Sequence, residues 1–82
     1  MVQFNKAEVG RRIKAARRRA GYSVSYVAER LEITRDVTVY EWEKGRYLPS
    51  TEHLFAMCML YKVSMESILS SPAEEIAAGK AA

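Results

Sequence analysis

SVSYVAERLEITRDVTVYEWEKGRYLP, residues 23–49, holds two helical patterns on either side of a tight connector. Ser23 is a competent N-cap, and Val24, Val27, Ala28 and Leu31 follow at i, i+3, i+4 and i+7, which is one face of a helix. Ala28 is small where two such helices must approach closely. Beyond the connector, Val39 and Trp42 sit three apart and face the same core. Thr34 and Asp36 are both competent caps, so the second helix of the pair can start at either. Val37-Thr38-Val39-Tyr40 alone would favour a strand. The run is short and has no partner strand elsewhere, so a helix is expected, with Gly45 as its stop. This is the layout of a helix-turn-helix.

The pattern continues outward in both directions. Asn5 caps a first helix, and Glu8 three residues later completes a capping-box spacing. Val9, Ile13, Ala16 and Ala20 form its apolar face, arginines fill the rest of its circumference, and Gly21 ends it. After Pro49, Ser50 caps a fourth helix with Glu52 and His53 in its first turn and Leu54, Met57, Cys58 and Tyr61 on its core face. Ser64 caps a short fifth helix whose Met65, Ile68 and Leu69 face inward. The expectation is an all-α domain of five short helices over residues 1–71. Pro72 ends it, and residues 72–82 carry too little apolar surface to be held in place, so a flexible tail is expected.

An 82-residue chain with 49% hydrophobic residues suits one small domain with one core. The net charge of +3 is unevenly spread. Lys6, Arg11, Arg12, Lys14, Arg17, Arg18 and Arg19 stand against Glu8 alone in residues 1–19, so the remainder is net acidic. Either a solvated helix face or an anionic partner accounts for this. The single cysteine, Cys58, excludes an intramolecular disulfide and a multi-cysteine metal site, and its apolar surroundings suit a small core residue. The longest apolar run, residues 54–61, is far too short to span a bilayer, and no signal peptide is visible, so a cytoplasmic location without a membrane partner is expected. His53 has no second ligand nearby. No metal, cofactor or small-molecule ligand is expected, and no paired-carboxylate, nucleophile–His or Gly-rich phosphate site supports an enzyme.

Val9-Gly10-Arg11-Arg12-Ile13, Arg17, Gly21, Ser23, Val27-Ala28, Leu31, Trp42-Glu43-Lys44-Gly45, Pro49-Ser50, Leu54, Val63-Ser64 and Ile68-Leu69 occur in order at nearly constant spacing. In these residues the chain resembles the lambda-repressor-like helix-turn-helix domain of the XRE/Cro type over residues 9–69. The resemblance implies a compact five-helix fold and a structural salt bridge between Arg17 and Glu43. Two departures stand out. Val24 occupies a position where the family commonly has a phosphate-contacting glutamine. The connector after Leu31 is one residue longer than usual, which leaves the register of the third helix open.

The resemblance also implies double-stranded DNA as partner, with the third helix, about residues 35–44, in the major groove. Base-contact candidates are Arg35 to guanine, Thr38 to a thymine methyl or a phosphate, Glu41 to cytosine, and Asp36. Asp36 is alternatively the helix cap, and Glu41 alternatively an exposed residue or an intrahelical partner of Arg35 or Lys44. Phosphate-contact candidates are Ser23 through its helix start, Tyr40, Lys44, Arg46 and Tyr47. Arg11, Arg12, Arg18 and Arg19 are more remote ones. Phe55, Met59 and Leu60 lie off the core face of the fourth helix and are candidates for a homodimer surface. The function so implied is a sequence-specific transcriptional regulator, with repression the expected sign. The alternative is a protein-interaction module, such as an antitoxin or an accessory regulator, that keeps the fold without strong DNA binding.

Overall fold

The computed structural model describes residues 5–69, which form α1 (Lys6–Ala20), α2 (Val24–Arg30), α3 (Asp36–Glu43), α4 (Thr51–Tyr61) and α5 (Met65–Leu69). No strand occurs among the described residues. Four of the five helices start on a side-chain cap that satisfies an otherwise orphaned backbone N–H. Asn5 accepts from the Glu8 amide at 3.1 Å, Ser23 from Tyr26 at 3.0 Å, Ser50 from His53 at 3.2 Å and Ser64 from Ser67 at 3.0 Å. The exception is α3. Its cap position is Arg35, which makes no capping side-chain bond, so neither Thr34 nor Asp36 caps it. Asp36 is already helical, and its carboxylate accepts the Ser25 hydroxyl of α2 at 2.5 Å. The expected boundary at Pro72 and the tail 72–82 lie outside the described residues.

The helix ends share one device. After α1, α2, α3 and α4 a residue enters the left-handed region: Gly21 at φ 83°, Glu32 at 58°, Gly45 at 81° and Lys62 at 59°. In each case the amides of that residue and the next return to helix carbonyls in the paired bonds of a Schellman motif. For α3 these are Gly45 to Trp42 at 3.1 Å and Arg46 to Glu41 at 3.0 Å. For α2 they are Glu32 to Glu29 at 3.1 Å and Ile33 to Ala28 at 2.8 Å. The longer connector is absorbed there. Glu32 reverses the chain without a glycine, and the side chain of Ile33 packs onto the core before α3 begins.

The core draws on all five helices: Val9, Ile13 and Ala16 of α1, Val24, Val27 and Ala28 of α2, Val39 and Trp42 of α3, Leu54, Met57, Cys58 and Tyr61 of α4, and Ile68 of α5. Ala20, Leu31, Met65 and Leu69 are only partly buried against it. Tyr22, Ile33, Leu60 and Val63 join them from turns and helix flanks.

Glycines let α1 and the end of α3 approach backbone to backbone. A Cβ on Gly10 would lie 2.5 Å from the Glu43 carbonyl oxygen and 2.6 Å from that of Trp42. Just past the end of α3 in the same seam, Gly45 would bring a Cβ within 2.7 Å of the Ala7 Cα. Both obstacles are backbone and cannot swing aside. Gly10→Ala is therefore expected to force α1 off α3 and to cost about 2 kcal/mol or more, at the upper end of overpacking penalties. For a domain of this size that means a Tm lowered by roughly 10 °C. A urea denaturation curve superimposable on that of the parent chain would contradict this seam.

Candidate nucleic-acid interface

The Arg17 guanidinium of α1 and the Glu43 carboxylate at the end of α3 meet in two parallel bonds. Nε donates to Oε2 at 2.7 Å and Nη2 to Oε1 at 3.1 Å, while Nη1 donates to the Tyr22 carbonyl at 2.9 Å. The side chains are 11% and 3% exposed, so water offers little competition. The hydrogen bond and charge of Glu43 raise the pKa of Arg17 above its ordinary value in spite of partial burial. One side chain thus joins α1, the end of α3 and the turn before α2.

With Val39, Trp42 and Glu43 turned inward, the opposite face of α3 is set by helical period. Val37, Tyr40, Glu41 and Lys44, at i, i+3, i+4 and i+7, form it. Val37 is 39% exposed and Tyr40 47% exposed, and Lys44 is open to solvent. Asp36 and Thr38 flank this face. Asp36 leans to α2 through Ser25. Thr38 is half-buried and lines a surface hollow with Arg35, Val37, Glu41, Trp42 and Tyr47.

Glu41 is half-buried, and its partner is neither Arg35 nor Lys44. Its Oε2 lies 3.3 Å from Nε of Arg46, beyond the helix end. Charge, not a well-aligned hydrogen bond, holds this contact, since the same oxygen has no hydrogen-bond partner among the described residues. Arg46 and Tyr47 are exposed beside it. Ser23 has its hydroxyl committed to the Tyr26 amide, and Val24 next to it is buried, so the start of α2 offers backbone amides in place of a longer polar side chain.

The cations of α1 divide. Arg11 and Arg12 pair with Glu8, and Arg12 also donates to the Ile68 carbonyl at 3.4 Å, which ties α5 to α1. Lys14, Arg18 and Arg19 are exposed. His53 accepts or donates at 3.1 Å to the Ser50 hydroxyl and lies 5.3 Å, ring to ring, from Trp42. Among the described residues no cluster of His, Cys, Asp or Glu could hold a metal, and no helix is long and apolar enough to cross a membrane.

On α4, Phe55 and Met59 are 55% and 65% exposed, whereas Leu60 is half-buried against the core. Met59 and Leu60 line a groove with Tyr22, Tyr26, Leu31 and Ala56, with Arg30 and Lys62 at its edges. Its aromatic wall is the Tyr22–Tyr26 pair, with ring centroids 4.8 Å apart. Beneath it, the Tyr61 hydroxyl is buried with no hydrogen-bond partner among the described residues. Burial, reinforced by the Glu43 charge, pushes the Tyr61 phenol well above its ordinary pKa, and burial also raises that of the Cys58 thiol.

A family model described as a helix-turn-helix domain matches residues 8–68. The chain belongs to the helix-turn-helix domain family. Among solved structures it is similar to the DNA-binding domain of BldD at 22% identity, covering 85% of this chain and 100% of that one with a TM-score of 0.67. The BldD DNA-binding domain of S. venezulae matches at 22% identity over 80% of this chain and 97% of that one, also with a TM-score of 0.67. A hypothetical transcription factor, NHTF, from Neisseria matches at 16% identity over 95% of this chain and 94% of that one, with a TM-score of 0.71. At these identities the likeness is one of fold. No curated protein matches the sequence.

The outward register of Val37 and its neighbours makes no use of a lone helix; it depends on the Arg17–Glu43 anchor of this helix-turn-helix domain. Arg17→Ala or Glu43→Ala strands the other charge in the interior and should cost about 3–5 kcal/mol. The double replacement Arg17→Ala with Glu43→Ala should cost clearly less than the two single losses together. Additive losses in a double-mutant cycle would show that the two residues act independently.

Tyr61 yields a pH prediction. A phenol whose folded pKa is raised holds its proton in the folded state after the unfolded chain has released it, so its contribution is present below about pH 10 and declines above it. Tyr61→Phe also removes a buried hydroxyl without a partner. The variant should be at least as stable as the parent at pH 7 and should lose less stability between pH 9.5 and 11. Parallel stability–pH curves for the two chains would contradict the assignment.

Proposed function

We propose that the chain is a sequence-specific double-stranded-DNA-binding transcriptional regulator of the XRE type, which acts in the cytoplasm as a homodimeric repressor. The observation that carries this reading is the division of α3. Its inner face is locked to α1 by Glu43, Trp42 and the glycine seam, and its outer face presents Val37, Tyr40 and Lys44 to solvent. A helix held in this way enters the major groove with its first turn at the base edges. Lys44, Arg46 and Tyr47 then follow along the sugar-phosphate backbone and set position without reading sequence. Two structures of similar fold, the BldD DNA-binding domain and the hypothetical transcription factor NHTF, are in keeping with it.

One such domain spans only a few base pairs, and two half-sites about one helical turn apart need a dimer. Phe55 and Met59 supply exposed apolar area for it on α4, with Leu60 at the base. Two acids at the start and on the outer face of α3, Asp36 and Glu41, are the feature that would favour a pure protein-interaction module. Both acids are engaged, by Ser25 and Arg46, which reduces their weight against a DNA surface.

Selection of bound sequences from a random duplex pool should yield a paired half-site motif. Binding to the selected duplex should weaken steeply with salt, as phosphate neutralisation requires. Lys44→Ala should weaken selected and unselected duplexes alike and reduce the magnitude of the log–log salt slope by about one. Absence of binding at low salt, or affinity indifferent to salt, would overturn the proposal.

A further inference from the structure

The charged groups that sequence reading placed at the bases are not the ones at the centre of the α3 face. Asp36 is turned to Ser25, and Glu41 is half-buried against Arg46. Arg35 stands at the cap position, just before the helix. What remains at the leading turn is Val37, the second residue of α3, with 39% of its surface open and the Tyr40 ring one turn away on the same face. An exposed β-branched residue at this place has no packing role to explain it: the apolar interior of α3 is already supplied by Val39 and Trp42. The surface around it is also concave. Val37 shares its hollow with Thr38, whose side chain carries a second methyl group, and with the Tyr47 ring.

We propose that Val37 is a specificity-determining residue that reads thymine through its C5-methyl group, seated in the hollow between Val37 and Thr38. This rests on the reading of α3 as a major-groove helix. In the major groove the methyl group distinguishes thymine from every other base by shape alone, so a valine with no hydrogen-bonding group can discriminate. Two charged groups line the hollow, and Arg35 is exposed, so its guanidinium keeps its hydration. The Glu41 carboxylate at its edge is compensated by Arg46, so no uncompensated charge need be stripped of water when a methyl group enters.

The test uses two random duplex pools, one synthesised with thymidine and one with deoxyuridine, each selected on the full chain and on Val37→Ala. Uracil pairs as thymine does and lacks only the methyl group. The parent chain should enrich thymine at the step facing the start of α3 and should show no corresponding enrichment of uracil. The best thymine duplex remade with deoxyuridine at that step should bind about fourfold more weakly, the factor for burying one methyl or methylene group. Val37→Ala should keep the parent's helical content, melting temperature and salt slope and lose the preference for thymine over uracil. Selected motifs that lack thymine, equal affinity for the two duplexes, or a preference that persists in Val37→Ala would overturn this inference and leave DNA binding standing. Enrichment of nothing in either pool would overturn the DNA reading and this inference with it.

Discussion

The bidentate contact between Arg17 and Glu43 is the constraint on which the remaining geometry depends. Neither charge is tolerable alone at that depth, because each would lose its hydration without compensation. Together they fix three elements at once, since the third guanidinium nitrogen holds the Tyr22 carbonyl in the turn leading to α2. The seam beside them is made by Gly10 and Gly45, each with backbone where a Cβ would be. α1 and α3 can therefore approach only in one register, and that register determines which side of α3 meets solvent.

A short helix needs such help. α3 has eight residues, no side-chain cap and a β-branched stretch at its start. Isolated helices of this length are marginal in water. Its persistence comes from tertiary contacts on Val39 and Trp42 and from the clamp at its C-terminal end. The N-terminal turn, which faces outward, is held by less: the Ser25–Asp36 bond to α2 and the packing of Ile33 in the preceding turn. Firm support at one end and a lighter hold at the other leave the leading residues accessible.

Much of this was legible in the sequence because it is periodic or local. The serine caps, the α1 glycine stop and the apolar stripes of α1, α2 and α4 each depend on residues within a turn or two of one another. The start of α3 was not legible. Thr34 and Asp36 are equally good caps on paper, yet the cap position falls to Arg35, after a reversal at Glu32, a non-glycine residue in a conformation that composition does not announce. Tyr22, Ile33 and Leu60 reach the core from positions that no helical stripe includes. Gly10 was visible only as part of a motif; its role as a contact surface needed the position of α3. The outward register of Val37 did leave a signal. Once Val39 and Trp42 are placed inside, residues 37, 40, 41 and 44 form the opposite face, but an apolar valine there reads at first as core. The pairing of Glu41 with Arg46, past the helix end, was outside the intrahelical spacings considered.

The central claim is that the face of α3 carrying Val37, Tyr40 and Lys44 is the surface that meets DNA. Amide chemical-shift mapping of the isotopically labelled chain, titrated with a selected duplex and then with an unselected one, tests it directly. The account predicts large, saturable changes from Ser23 to Ser25 and from Arg35 to Tyr47 with the selected duplex, and weaker, fast-exchanging changes at the same amides with the unselected one. Changes confined to the α4 groove, with the amides of α3 undisturbed, would contradict it.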